Sequence, residues 1–228
     1  MQNNSTQSNQ SDKFADKVND FVQRNRKGIL IIIIFLVVGI TGTIVFLSLN
    51  DYFQKKAIAE VEEFDRRFSE LSAEINGEYM TDDVQALLAD LKTFAKNKSG
   101  FAGSKAWSIT GQIYADRKEW PEAESAWRYA AKAGAKTYQG PAAFFNAAVA
   151  AEEQGKLEEA IELYGNCLSH KFEFPASPRA QFSIGRLNES LNNIPAAIEA
   201  YRAVMTNWSY VTAWANLAQS RITALEIR

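Results

Sequence analysis

Few residues in this chain could act as nucleophiles, metal ligands or acid–base groups. Cys167 and His170 form a C-x-x-H pair, and they are the single cysteine and the single histidine of the sequence. A zinc site takes three or four ligands, normally with more of these residues. Ser-His-Asp chemistry would also depend on His170, and no nucleophile motif lies near it. We therefore expect no metal site and interpret Cys167 as a packed residue.

Other chemistry-bearing groups have structural interpretations. Glu158, Glu159 and Glu162 lie on one predicted helix and are typical of a solvated face. Three of the five tryptophans, Trp107, Trp127 and Trp214, fall on helix-packing positions, which favours a core over a ligand cage. The sequence has no P-loop, no GxGxxG and no HExxH motif. We expect no cofactor, and we interpret the chain as not an enzyme.

The charge balance excludes one class of partner. The formal net charge is −2, and residues 50–228 carry 20 Lys/Arg against 24 Asp/Glu, a net of −4. Non-specific nucleic-acid binding requires a basic face. We therefore expect no nucleic-acid partner.

Residues 28–49 form a run of 22 residues without a charge. As a helix it is about 33 Å long, close to the thickness of the hydrocarbon core of a bilayer. A cleaved signal peptide would be shorter and followed by a small-residue cleavage site, which SLNDYFQKK does not provide. Arg24, Arg26 and Lys27 precede the span and Asp51 follows it. The positive-inside rule then predicts a single-pass membrane protein with a cytoplasmic N-terminus and an extracytoplasmic C-terminal domain. In a bacterial cell this means the inner membrane, with the C-terminal domain in the periplasm.

The segments on either side of this span differ in character. Residues 1–11 are almost entirely Asn, Gln, Ser and Thr, which predicts a disordered leader. Residues 12–27 carry apolar residues at helical spacing with basic residues between them. They are predicted to form an amphipathic helix on the cytoplasmic membrane surface, or a disordered leader. Residues 50–100 are predicted to form a helical stalk and a degenerate first helix pair, which includes a helix from Asp83 to Lys96.

The predicted stalk carries an apolar stripe at helical spacing. Its steps of three and four residues resemble a coiled-coil seam. It is formed by Ala57, Val61, Phe64, Phe68, Leu71 and Ile75. Two interpretations stay open: the stripe packs against the next helix of the same chain, or residues 53–75 form a homo-oligomer seam.

From residue 104 onward one pattern returns every 37 residues. KEWPEAESAWRYA starts at Lys118, GKLEEAIELYGNC at Gly155 and NNIPAAIEAYRAV at Asn192. An alanine, an aromatic residue and an upstream small residue recur in phase. These are Ala123, Ala160 and Ala197; Trp127, Tyr164 and Tyr201; and Gly111, Ala148 and Gly185. Each unit is predicted to be two amphipathic helices that bury their apolar faces by stacking on the next unit.

These positions resemble the tetratricopeptide repeat family over about residues 104–224. The resemblance implies a short α-solenoid in this region, so the whole chain is predicted to be all-α, with the N-terminal transmembrane helix before the solenoid. Residues 104–228 would hold three tetratricopeptide-like repeats and a C-terminal closing helix, WSYVTAWANLAQSRITAL. The 37-residue spacing exceeds the usual 34 and implies longer loops between repeats.

The resemblance also implies a binding groove lined by the first helix of each pair. The family's groove positions carry mixed charge and two phenylalanines, and they lack the lysines and asparagines that grip a terminal carboxylate. They are Lys105, Ser108, Gln112 and Asp116; Phe145, Val149, Glu152 and Glu153; and Arg179, Phe182, Arg186 and Glu189. Whether Phe145 and Phe182 face the groove or belong to the core stays open.

The whole arrangement resembles the YfgM-like ancillary subunit family of the bacterial Sec translocon. That resemblance implies a membrane-anchored, non-catalytic adaptor or chaperone-like factor, with protein partners at the translocon or among envelope chaperones and clients. The alternative is a structural scaffold of a larger envelope machine for secretion, division or motility.

Overall fold

The computed structural model describes residues 4–74 and 82–227, and within them the chain is helical throughout, with no strand. Ile75 of the apolar stripe lies outside the described residues. The all-helical prediction is confirmed. The helices are α1 (Asn4–Glu74), α2 (Asp82–Lys96), α3 (Gly100–Asp116), α4 (Trp120–Ala133), α5 (Gln139–Glu153), α6 (Leu157–Leu168), α7 (Ser177–Ser190), α8 (Ile194–Asn207) and α9 (Thr212–Glu226). The chain divides into two units, Met1–Lys55 and Lys56–Arg228, and α1 contributes to both.

The first unit consists of the N-terminal part of α1. Its apolar side chains are exposed, from Leu30 at 59% to Phe35 at 74% and Phe46 at 70%. Within the described part of the chain, α1 is the one helix long and apolar enough to cross a membrane. The candidate span predicted for residues 28–49 therefore exists as a helix with an exposed apolar surface.

The structure differs from the prediction of a disordered leader. α1 begins at Asn4, so the described residues 4–11 are helical, as are residues 12–27. No glycine or proline lies between residues 4 and 27. Polar residues such as Asn and Ser cost only about 0.7 kcal/mol each or less in a helix, and extending an existing helix needs no new nucleus. The side chains of Phe14 and Val18 lie outside the described part; Phe21 of the same segment is 62% exposed.

The C-terminal part of α1 packs against α2 and α3. Ala57 and Val61 of the apolar stripe are buried with Leu87 and Leu91 of α2. Phe64 stacks edge-on against Phe94, with ring centroids 5.5 Å apart. Phe68 and Leu71 are partly buried against the same cluster. The stripe thus packs within its own chain, as the first of the two interpretations predicts.

Close contacts between one aromatic and one small residue join the two helices of a pair. A Cβ built on Gly111 of α3 would lie 2.7 Å from Nε1 of Trp127 in α4, and one built on Gly185 of α7 would lie 2.5 Å from Cε1 of Tyr201 in α8. Tyr201 is fully buried. The glycines therefore let the paired helices approach until the ring of the second fills the space beside the first.

The same turn connects the helices of each pair. Its central residue has a left-handed backbone in all three pairs: Lys118 (φ 59°), Gly155 (φ 73°) and Asn192 (φ 57°). The following amide donates to the carbonyl five residues earlier, the pattern of a Schellman helix end. These bonds are Glu119 to Tyr114 (2.9 Å), Lys156 to Ala151 (3.0 Å) and Asn193 to Asn188 (2.8 Å). The three residues are 37 positions apart, so the backbone conformation of the turn repeats at the same interval as the sequence pattern.

A buried carboxylate ties the first pair to the second. Glu124 of α4 is 5% exposed. It accepts hydrogen bonds from Arg128 (2.7 Å), Gln154 (2.8 Å) and Lys156 (3.0 Å). Burial alone would raise the pKa of Glu124, but the bonds from Arg128, Lys156 and Gln154 outweigh it and lower this pKa below its ordinary value. Glu124 therefore stays ionised and contributes stability that is present above the ordinary glutamate pKa and lost as the pH falls through the lowered value.

Gly185→Ala tests the contact between aromatic and small residue. The new methyl group collides with the buried ring of Tyr201, so we expect the free energy of unfolding to fall by about 1–3 kcal/mol. Thermal unfolding of the full chain in detergent, followed by circular dichroism, measures the change.

Gly165→Ala is the matched control, because a Cβ at Gly165 of α6 would meet nothing within 4 Å. It should leave stability unchanged or raise it by about 1 kcal/mol through helix propensity. Equal effects from the two substitutions would contradict the packing argument.

Candidate partner-binding surface

The first helices α3, α5 and α7 carry the residues predicted to line the groove, and α3 contributes least to an open surface. The ammonium of Lys105 lies 2.8 Å from Glu62 and 2.9 Å from Asp65 of α1, and its side chain is 18% exposed. Gln112 is exposed and donates to Asp116 at 2.7 Å. Lys105 therefore joins α3 to α1, while Gln112 stays accessible.

Phe145 belongs to the core, which settles one of the open alternatives. Its ring is 6% exposed and contacts Tyr164 (centroids 5.3 Å apart) and Phe174 (5.6 Å). Arg179 of α7 lies over the same ring at 5.2 Å. Two neighbouring pairs thus close over Phe145, and Val149 packs half-buried against the same cluster. The predicted groove position is occupied because the loop between α6 and α7 brings Phe174 onto the ring.

Phe182 is half-buried and lies under the last helix. Its ring contacts Tyr201 (centroids 5.0 Å apart) and Trp214 of α9 (5.4 Å). An open cleft of about 460 Å³ remains beside it. Phe182, Arg186, Glu189, Ser190, Tyr201 and Arg221 line this cleft. Three predicted groove residues, Phe182, Arg186 and Glu189, are therefore brought together at one place.

A buried tyrosine, a glutamate and an arginine form a recurring set on this surface. In one copy, Glu152 of α5 accepts from Arg186 (2.6 Å) and from the hydroxyl of Tyr164 (3.4 Å). In the next copy, Glu189 of α7 accepts from the hydroxyl of Tyr201 (3.2 Å) and from Arg221 of α9 (Nε, 3.3 Å). Each arginine comes from the first helix of the following unit, or from α9, so the set links neighbouring units.

The phenols of these sets stay protonated. Burial, followed by the nearby Glu152 carboxylate, raises the pKa of Tyr164 to about 12. Burial, followed by Glu189, raises the pKa of Tyr201 to about 12 as well. Both hydroxyls therefore serve as fixed hydrogen-bond donors at neutral pH.

The first pair lacks the tyrosine, the glutamate and the arginine of this set. The equivalent positions, 37 residues earlier, hold Ala115, Trp127 and Val149. A tryptophan ring presents no hydroxyl at this point, and both charged partners are absent with it. Sequence reasoning identified the tyrosines only as packing residues and missed the set. The available signal was the joint return of a glutamate and a tyrosine twelve residues apart, at Glu152 and Tyr164 and again at Glu189 and Tyr201.

Cys167 and His170 both have structural roles. Cys167 is 1% exposed, and burial raises the pKa of its thiol to about 12, which keeps it from ionising. His170 stacks on Phe172 (centroids 5.7 Å apart), and its Nδ1 accepts from the Phe172 amide at 3.3 Å. In residues 4–74 and 82–227 no three His, Cys, Asp or Glu side chains are grouped so that they could hold a metal ion.

Paired antiparallel helices, an aromatic-on-small contact and a shared turn together form a helical repeat array that is similar to tetratricopeptide arrays. A family model described as "Tetratricopeptide repeat" matches residues 102–165, the region of α3 to α6. Repeats of this family are typically non-catalytic protein-interaction scaffolds.

Similar proteins agree with this class. A "TPR repeat-containing protein" of Treponema pallidum (strain Nichols) is 37% identical over 144 residues, which is 62% of this chain and 59% of that protein. This chain therefore matches less than two thirds of the length of its relative. A single-residue variant of a Podosopora anserina protein with nearly identical TPR-like repeats superposes with a TM-score of 0.51 at 13% identity. The match covers 75% of this chain and 84% of that one, and it supports the fold alone.

Glu152→Ala tests the tyrosine–glutamate–arginine set. The substitution leaves Arg186 and the hydroxyl of Tyr164 without their acceptor, and we expect the free energy of unfolding to fall by about 1–2 kcal/mol. Chemical denaturation of the full chain in detergent measures it.

Glu153→Ala is the matched control, because the neighbouring Glu153 is exposed on the same helix. Its effect should stay within about 0.5 kcal/mol. A loss at Glu153 as large as that at Glu152 would show that the set adds nothing to stability.

Proposed function

We propose that this protein is a membrane-anchored, non-catalytic adaptor of the bacterial envelope that binds protein segments on the surface formed by α3, α5 and α7. The observation that carries the proposal is the presence, in one chain, of a tetratricopeptide-type array and an α1 segment whose apolar side chains are more than half exposed between Leu30 and Leu49. The array implies protein partners, and the exposed helix requires a non-aqueous environment.

The anchor follows from the extent of this apolar surface. A continuous apolar face of this size would cause aggregation in water, whereas a bilayer takes it up. Residues 28–49 carry no charge, and Arg24, Arg26 and Lys27 precede them. The proposed orientation therefore has the N-terminus in the cytoplasm and the repeats in the periplasm. Lys55 and Lys56 after the span weaken this charge asymmetry, so the test includes topology.

The chemistry of the surface defines the segment that it would bind. Because Phe145 is buried, the surface is not a row of open phenylalanines, and it suits unfolded apolar clients poorly. Its accessible features are the cleft at Phe182 and the paired charges at its rim, Arg186, Glu189 and Arg221. We infer a partner segment that places one apolar side chain in the cleft between charges of both signs. Subunits of the Sec translocon are candidates through the resemblance of the overall arrangement.

A structural scaffold is the second candidate function, and one observation favours it. The charges on this surface are already paired within the chain, as in Glu152 with Arg186 and Glu189 with Arg221. Such a preorganised surface loses little side-chain entropy on binding and suits one permanent partner. The two functions differ in how many proteins contact the surface.

Deleting residues 1–49 tests the anchor. The full chain should sediment with membranes and resist extraction at alkaline pH, whereas the deleted form should be soluble and helical by circular dichroism. A cysteine-labelling reagent that cannot cross the membrane, applied to intact cells with Gln112→Cys, measures the topology. Labelling only after lysis would contradict a periplasmic array.

Photo-crosslinking tests the binding surface. Benzoyl-phenylalanine at Gln112 or Arg179 should crosslink to partners, whereas the same group at Glu158 or Glu162, both exposed on α6, should not. A single abundant product supports the scaffold and several products support the adaptor. Crosslinks only from the α6 positions would place binding elsewhere.

A further inference from the structure

A second surface lies on a different set of helices and has its own chemistry. Two adjoining clefts of about 450 Å³ each open between α2 and α4, above α3. They share Lys96, Trp107 and Tyr129, so they form one continuous depression, called here the lysine groove. It extends along α4 from Pro121 to Ala133, about 18 Å at 1.5 Å per residue.

An aromatic pair forms the floor of the lysine groove. Trp107 of α3 and Tyr129 of α4 stack with ring centroids 4.9 Å apart and 29° between their planes. Tyr129 is 52% exposed. The positions equivalent to Tyr129 in the next two repeats hold Asn166 and Ala203, so helix packing does not require an aromatic residue here. The exposed ring is therefore available for contact with a ligand.

Lysines form the rim. Lys92, Lys96, Lys98 and Lys132 line the two clefts, and Glu122 at one end is the single carboxylate among the residues described as lining them. The ammonium of Lys92 is bonded to the hydroxyl of Tyr114, and that of Lys98 lies 5.7 Å from the ring of Phe94. Lys96 and Lys132 are exposed and form no ion pair with any residue in 4–74 or 82–227.

The charge of the lysine groove differs from that of the rest of the second unit, and this difference indicates the charge of the ligand. Residues 50–228 carry a net charge of −4, yet four lysines and one glutamate surround this groove. Several exposed cations elsewhere on the array are paired, as Arg186 is with Glu152 and Arg202 with Glu226. A concentrated positive potential next to an exposed aromatic floor attracts an anionic group that also presents an apolar face.

We propose that the lysine groove docks an acidic segment of a protein partner, about five extended residues long, with one aromatic side chain on the Trp107–Tyr129 pair and Asp or Glu on either side facing Lys96 and Lys132. The length follows from about 3.4 Å per extended residue. The groove is walled by two helices, so a chain one side chain wide reaches Trp107, whereas a flat bilayer surface does not. A nucleic-acid strand would meet the net negative charge of the domain beyond the groove.

This inference goes beyond the proposed function, because it uses α2 and α4 rather than the surface of α3, α5 and α7. The two can fail separately. An adaptor with both surfaces would hold two partners at once, one on each set of helices.

Fluorescence anisotropy with the full chain in detergent tests the lysine groove. The probe is a labelled, end-blocked peptide of sequence Glu-Asp-Glu-Phe-Glu-Asp-Glu, and a second probe replaces Phe by Gly. We expect the Phe peptide to bind with salt-dependent affinity and the Gly peptide to bind at least about fivefold more weakly, because only the first stacks on the aromatic pair.

Reversing the charge of two groove lysines tests whether the peptide binds at this site. K96E combined with K132E should weaken binding of the Phe peptide at least about tenfold, because two attractive contacts become repulsive. K136E combined with K171E changes the net charge equally at exposed loop positions outside the groove and should weaken it less than about twofold. Thermal unfolding of both variants shows whether each is folded.

Three results would overturn the proposal. The first is no binding of the Phe peptide up to about 1 mM, which is weaker than a specific site requires. The second is equal loss in the two double variants. The third is binding of phosphatidylglycerol vesicles or oligothymidylate that depends on Lys96 and Lys132 while the Phe peptide fails to bind, which would assign the groove to lipid or nucleic acid.

Discussion

The contact between one large ring and one missing side chain sets the geometry of the repeat array. Where Trp127 faces Gly111 and Tyr201 faces Gly185, an added methyl group would have no room. Two helices held this closely expose apolar faces on both outer sides, and only a further unit covers them. The spacing of the helices in these pairs and the stacking of units depend on that approach.

The charged surface is a consequence of the same packing. A tyrosine ring that fills the space between two helices carries its hydroxyl to the end of the first helix, where Glu152 or Glu189 accepts its hydrogen bond. A carboxylate in that position needs a cation, and the next unit supplies one from Arg186 or Arg221. In the second and third pairs, the same tyrosine therefore fills the core and positions the charged residues of the surface. In the first pair tryptophan replaces tyrosine, and the glutamate and arginine of the set are absent with it.

Much of the fold could be predicted from the sequence, because recurrence at a fixed interval reports local helix pairing directly. The helix pairs and the apolar segment of α1 both follow from short-range patterns. Whether Phe145 and Phe182 are buried could not be predicted. Phe145 is covered by Phe174 from an irregular loop, and Phe182 is covered by Trp214 from a separate helix. The helical leader was missed because polar composition alone does not stop a helix that an adjacent segment has already nucleated.

The shared turn has a consequence for how arrays of this kind change length. Lys118, Gly155 and Asn192 adopt one left-handed conformation at identical offsets, although their side chains have nothing in common. Within every pair, the chain thus turns from the first helix to the second along the same backbone path. Recombination that adds or removes a whole 37-residue block would keep each aromatic ring opposite the small residue of its own pair, whereas an insertion within the helices of a pair would shift the ring off its partner.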